Sequence, residues 1–182
     1  MAGSATDAAS LGLTGADHPL LGAVVQLPQS DGLVFTSRLS LRTHPWLAGH
    51  AIGGVVIIPG TMYVDLAVRA GDEFGYGVLE ELVIESPLVL PEQGGVRLQV
   101  AVGGPGETGS RTVDVYSQRE DAAGEGGANE WTRHATGLLA ASSATRKTAQ
   151  AYDFAAWPPP GAEPVEVGTF YTDLLERGYA YG

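Results

Sequence analysis

Between residues 18 and 139 short apolar runs alternate with turn residues, and six of the runs read as strands. The first, 21–27, closes at Pro28 and a Ser30-Asp31-Gly32 turn. The second, 33–41 (LVFTSRLSL), alternates apolar and polar residues as a half-buried strand does. Residues 78–90, 96–102, 112–118 and 131–139 supply the other four. One segment breaks the rhythm. After Pro59-Gly60, residues 61–70 (TMYVDLAVRA) set Met62, Tyr63, Leu66, Ala67 and Ala70 on one stripe at helical spacing. Thr61 is suited to cap that helix and Gly71 to end it. One apolar helix among six strands predicts an α+β domain in which an antiparallel sheet wraps the helix.

The flanks differ in texture. Residues 1–17 are small and polar and read as a leader or linker. Residues 140–150 and the Trp157-Pro158-Pro159-Pro160 run read as an extended linker. A second helical pattern, 167–177, follows, and the chain stops at Gly182 as a new unit begins.

Composition narrows the class. The 182 residues include 26 glycines and 11 prolines, a turn-rich fifth of the chain, but 44% are hydrophobic, enough for a core. Cysteine is absent, which excludes disulfide scaffolds, thiolate metal sites and cysteine nucleophiles. A net charge of −11 argues against nucleic acid or an anionic membrane as partner. No apolar run approaches the roughly 20 residues of a membrane-spanning helix. No basic segment followed by an apolar run marks a secretory signal. These features predict a soluble cytoplasmic domain.

The candidate chemistry lies in four histidines, whose spacing builds no metal site. His18 and His44 each precede a proline and suit capping or packing, and His134, in WTRHATG, suits a cross-strand structural role. His50 has a different setting, HAIGGVVIIPG. Glycines follow the imidazole, an apolar run makes a dry wall, and Pro59-Gly60 opens a helix whose first N–H groups lack internal partners. A general base and an oxyanion donor so arranged suit removal of a proton next to a carbonyl. The residues by themselves also allow a plain turn histidine.

His50, Gly54 and Pro59 reproduce an HxxxGxxxxP signature, and the chain resembles the dehydratase domains of modular type I polyketide synthases. The resemblance runs through residues 46–72 and extends to HPLLGA at His18, LEELVIESPLVLP at Leu79, RLQVAVG at Arg97 and WTRHATG at Trp131. The closing Gly178, Tyr181 and Gly182 match the start of the family's GxxYGPxF element. The resemblance implies a double hotdog, two sheets each wrapped on a helix. Residues 1–17 would be a leader, 18–140 the N-terminal hotdog, 141–164 the inter-hotdog linker and 165–182 the truncated start of the C-terminal hotdog.

It also implies the chemistry: a lyase removing water from a β-hydroxyacyl thioester, carried on the phosphopantetheine of an acyl carrier protein, during polyketide and secondary-metabolite biosynthesis. His50 would be the proton acceptor, with its partner aspartate beyond Gly182. Gly54, Pro59, Gly60 and Tyr181 would contact substrate, and Asp65 and Asp173 fall outside the family's motif. No metal or other cofactor is implied. The expected partners are the carrier protein, docked through local patches such as Arg38, Arg42 or Arg69, the C-terminal hotdog, and a second copy in a homodimeric synthase. Alone, the 182 residues are expected to be inactive. A non-catalytic dehydratase-like scaffold and a single-hotdog hydratase or thioesterase are the competing readings.

Overall fold

A computed structural model describes residues 8–120, 130–141, 157–159 and 161–181. Residues 121–129, most of the expected linker, and Gly182 lie outside the described residues.

Seven antiparallel strands form the main sheet: β1 (Thr14–His18), β2 (Leu21–Leu27), β3 (Gly32–Leu39), β6 (Val78–Ile84), β7 (Val96–Pro105), β8 (Arg111–Arg119) and β9 (Thr132–Ala140). Their order across the sheet is β1-β2-β3-β7-β8-β9-β6. A second, three-stranded sheet, ordered β10-β4-β5, consists of β4 (His50–Ile52), β5 (Val55–Val56) and β10 (Tyr179–Tyr181). The helix α1 (Gly60–Asp72) lies against the main sheet, and α2 (Phe170–Glu176) precedes β10.

Period-two alternation explains the core. Leu33, Phe35 and Leu39 of β3, Leu98, Val100 and Val102 of β7, and Val113 and Val115 of β8 all turn inward and are buried. They meet Met62, Tyr63, Leu66, Ala67 and Ala70, the predicted stripe, in one cluster. A sheet bent around a single buried helix is the hotdog arrangement.

Several expectations need correction. Part of the supposed leader is structured: Thr14–His18 is an edge strand paired with β2. Thr61 does not cap α1. Pro59 occupies the N-cap with φ −66° and ψ 149° and offers no side-chain hydrogen bond. Gly71 lies inside the helix rather than ending it. Its missing Cβ makes room for the carbonyl of Tyr76, whose own N–H returns to Gly71 O at 2.9 Å. The 78–90 run is two pieces: β6 ends at Ile84, and after Pro87 residues Leu88 and Leu90 pair with Ile58 and Val56. The second helical pattern contracts to α2.

Among the described residues no helix is long and apolar enough to cross a membrane.

Candidate active site

The site grows from a tight hairpin. β4 and β5 are joined by Gly53 (φ 57°) and Gly54 (φ 80°), the two left-handed residues that a two-residue type I′ turn requires. Gly54 is therefore accounted for by backbone geometry. A Cβ placed there would meet no heavy atom within 4 Å, so the glycine is required by its left-handed backbone rather than by crowding. The hairpin is held on both sides. Ile58 N donates to Leu88 O (3.0 Å) and Leu90 N to Val56 O (3.0 Å) on one side. On the other, β10 pairs with β4, and Gly53 N donates to Gly178 O at 2.7 Å.

This frame orients His50, which is half-buried at the start of β4. Its Nδ1 lies 2.9 Å from the carbonyl oxygen of Ile57. A carbonyl only accepts, so Nδ1 carries the proton and the neutral ring presents its lone pair at Nε2. Tyr181 is the register partner of His50 across β10–β4, and the two rings lie 5.0 Å apart at 45°. The structure thus brings together two residues that the sequence singled out separately, His50 and Tyr181.

The other three histidines are spent on structure. His18 accepts from Leu20 N at Nδ1 (3.2 Å) and donates from Nε2 to Asp65 Oδ2 (2.8 Å). Asp65, which falls outside the expected motif, is the exposed partner in that bond. His44 donates to Pro19 O (3.1 Å) and accepts from Thr43 Oγ1 (2.9 Å). His134 is buried, donating from Nδ1 to Ser86 O (3.1 Å) and accepting at Nε2 from Ser117 Oγ (2.7 Å). Loss of solvation holds its pKa below the ordinary histidine value, with the Ser86 and Pro87 carbonyls opposing part of that shift. Of the four imidazoles, His50 alone keeps a ring nitrogen unpartnered among the described residues.

Three residues after Ile57, α1 begins. Because Pro59 supplies no cap, the N–H groups of Gly60 and Thr61 have no partner among the described residues, and the positive end of a 13-residue helix is left uncovered. Gly60 also borders a cleft of about 280 Å³ between the helix start and the end of β6. Its walls include Ile57, Tyr63, Ile84 and Pro87. Burial raises the Tyr63 phenol above its ordinary pKa, while the N–H of Leu88, donating to the hydroxyl at 3.2 Å, opposes the shift. The Glu85 carboxylate on the rim takes a bidentate pair from Arg133, both bonds 2.8 Å, which holds the acid below and the guanidinium above their usual ranges.

Ile57, whose backbone fixes the tautomer, and Ile84 were not legible as site residues. A carbonyl contact carries no side-chain signature, and Ile84 reads as an ordinary strand residue. Asp173, on the first turn of α2, is exposed and accepts from Thr169 Oγ1 at 3.2 Å, away from any shared contact with His50. Of the arginines expected to dock a carrier, Arg38 is held by Glu120 in two bonds of 2.6 and 2.7 Å and Arg69 by Glu73 at 3.0 Å. Arg42 is exposed, with no ion pair among the described residues. No group of three histidine or acidic side chains is placed to hold a metal ion among the described residues.

Comparison with known proteins bears directly on this geometry. A family model described as polyketide synthase dehydratase domain matches residues 18–118. The chain is 54% identical over 179 residues to the pikromycin polyketide synthase component PikAII of Streptomyces venezuelae. It is 52% identical over 180 residues to the mycoketide-CoA synthase of Mycobacterium tuberculosis. The matches take in 98% and 99% of this chain but only 5% and 4% of those proteins. Among solved structures, the dehydratase domain from the terminal module of the rifamycin polyketide synthase superposes with a TM-score of 0.88 at 67% identity. The erythromycin dehydratase superposes with a TM-score of 0.82 at 43% identity. Each is matched over 97% of this chain and over 60% and 62% of its own length.

Proposed function

This chain belongs to the polyketide synthase dehydratase domain family, and from that membership we propose that it supplies the histidine half of a β-hydroxyacyl-thioester dehydratase. The observation that carries the proposal is the unpartnered Nε2 of His50, left as the basic nitrogen by the bond from Nδ1 to Ile57 O.

In this reading the substrate arrives on the phosphopantetheine of an acyl carrier protein. His50 Nε2 removes the α-proton, a step for which a positioned base contributes roughly 10²–10⁴-fold. The thioester carbonyl gains negative charge as the C–H bond breaks, and the Gly60 N–H at the open start of α1 donates to it. A donor of this kind is worth about 10²–10³-fold. Hydroxide leaves the β-carbon as water, with its proton coming from an acid on the other half of the domain. The proposed acid is an aspartate on the helix of a second hotdog. The 60% coverage of the rifamycin domain leaves room for such a half, and α2 with β10 would be its beginning. Pro59 holds Gly60 at the helix start, and Tyr181 packs on the imidazole, restricting its tilt. No redox or metal chemistry enters, because the thioester itself accommodates the carbanion. In the parent synthase the domain would work as part of a homodimer.

The test is loss of water from a β-hydroxyacyl group on an acyl carrier protein, followed by mass spectrometry, in a domain extended to the length of the solved relatives. Conversion to the α,β-unsaturated thioester that disappears in His50→Ala supports the reading. Equal conversion by parent and variant removes it.

A further inference from the structure

We infer that the cleft beside Gly60 receives the aliphatic part of the acyl group, and that Ile84 sets how much bulk it admits. This rests on the reading of Gly60 as the carbonyl donor.

The argument starts from the pleat. On β6, Leu82 and Ile84 share a face, two residues apart. Leu82 packs against the core under α1. Ile84, one step further, has run past the beginning of the helix, so its inward-facing side chain meets open space and remains 49% exposed. A Cβ built on Gly60 would lie only 3.3 Å from Ile84 Cδ1. The tip of Ile84 therefore stands beside the amide proposed to hold the carbonyl. Any acyl group bound there extends its neighbouring carbons along Ile84 into the cleft.

The lining selects for hydrocarbon. Ile57, Ile58, Tyr63, Ile84 and Pro87 present apolar surface. The Tyr63 hydroxyl is occupied by Leu88 N, and the two polar rim residues are engaged as well. Glu85 is held by Arg133, and Ser86 Oγ donates to Arg133 O at 3.0 Å. Beyond the Gly60 N–H at its mouth the cleft offers a polar ligand few free partners to replace its water, whereas an alkyl chain needs none. The far wall is also fixed in place. Glu85 N and Ser86 N both donate to His134 O, at 2.8 and 3.4 Å, so the cleft is largely formed before a ligand arrives. Its volume of about 280 Å³ lies just below that of ligand sites, which run roughly 300–1,000 Å³. That suits one acyl chain of modest length rather than a whole pantetheine arm.

The test uses the domain at the full length of its solved relatives, with the pantetheine thioesters of β-hydroxybutyrate and β-hydroxyoctanoate. The measured quantity is the ratio of kcat/KM for the two substrates, which a change in folded fraction leaves untouched. Ile84→Phe is expected to lower the octanoyl:butyryl ratio at least tenfold, and Ile84→Ala to raise it at least threefold. A ratio unchanged in both variants overturns the inference. Calorimetric binding of octanoyl-pantetheine, which has no β-hydroxyl to lose, is independent of the catalytic reading. Ile84→Phe should weaken it at least tenfold, and equal affinity in parent and variant would count against the cleft even if dehydration proceeds. Turnover that survives His50→Ala, with the ratio still shifting at Ile84, would instead fault the dehydratase mechanism and leave the cleft standing.

Discussion

His50 Nδ1 donates to the carbonyl oxygen of Ile57 at 2.9 Å, and Ile57 N returns a bond to His50 O at 3.2 Å. The eight residues from His50 to Ile57 are closed on themselves by these two bonds. The same closure that folds the hairpin chooses the tautomer, so the position of the basic nitrogen is set by backbone geometry rather than by a neighbouring carboxylate.

The hairpin bond makes His50→Asn a sharper variant than alanine. Its side-chain amide can still donate to Ile57 O but has no basic nitrogen. In the full-length domain, dehydration is expected to fall at least about 10²-fold, the lower end of the general-base range. The thermal midpoint should stay within about 2 °C of the parent. A variant that retains more than a tenth of the activity would show that another group removes the proton.

His134 predicts a pH dependence of stability with a definite sign. Burial depresses its pKa in the folded chain, so the unfolded chain binds a proton at pH values where the folded one does not. The stabilising contribution is complete above the unfolded value of about 6.5 and is lost as pH falls from there toward the lower folded value. Denaturant unfolding at pH 7.5 and 5.5 should show the parent losing more stability on acidification than His134→Gln. Equal losses would contradict the assignment. His134→Ala, which also strands Ser117 Oγ and opens a cavity, should cost about 2–4 kcal/mol at neutral pH.

Gly71→Ala sets helix propensity against packing. Alanine is favoured over glycine inside a helix by about 1 kcal/mol. Here, however, the new methyl runs into the carbonyl of Tyr76 and lies 3.1 Å from Leu139 Cδ1. A backbone carbonyl tied into the α1–β6 turn cannot swing aside as a side chain can. Net destabilisation of about 1–3 kcal/mol is expected, the usual cost of overpacking. A raised denaturation midpoint would mean that the turn yields.

The 182 residues, assayed by themselves, are expected to show no dehydration and to associate. Ile52, Val55, Tyr179 and Tyr181 on the small sheet are 38–47% exposed, and Trp46, four residues before His50 in the chain, is 55% exposed. An apolar surface of this kind favours self-association when left uncovered. Light scattering should give a mass above that of one chain, and a carrier-bound substrate should remain hydrated. A monomer with full activity would place the acid within this chain.

What the sequence determined by itself was whatever is encoded in local periodicity. The β2 run was legible from its closing turn, the interior of α1 from the 3.6-residue stripe at Met62, Tyr63, Leu66, Ala67 and Ala70, and the candidacy of His50 from its spacing to Gly54 and Pro59. The tertiary structure decided what depends on groups brought together from distant positions. Edge strand β1 carries little apolar signal of its own and exists because β2 offers it a ladder. Gly71 read as a helix end because glycine usually marks one, but here close approach of Tyr76 O overrides that preference. Asp65 gained a partner only when the β1–β2 turn brought His18 onto the helix. The free Nε2 of His50 and the open cleft at Ile84 belong to the same class. One follows from a carbonyl that any residue at position 57 would supply, the other from a strand that outruns its helix. Neither leaves a mark in side-chain identity, since backbone acceptors and empty volume are properties of packing rather than of residue type.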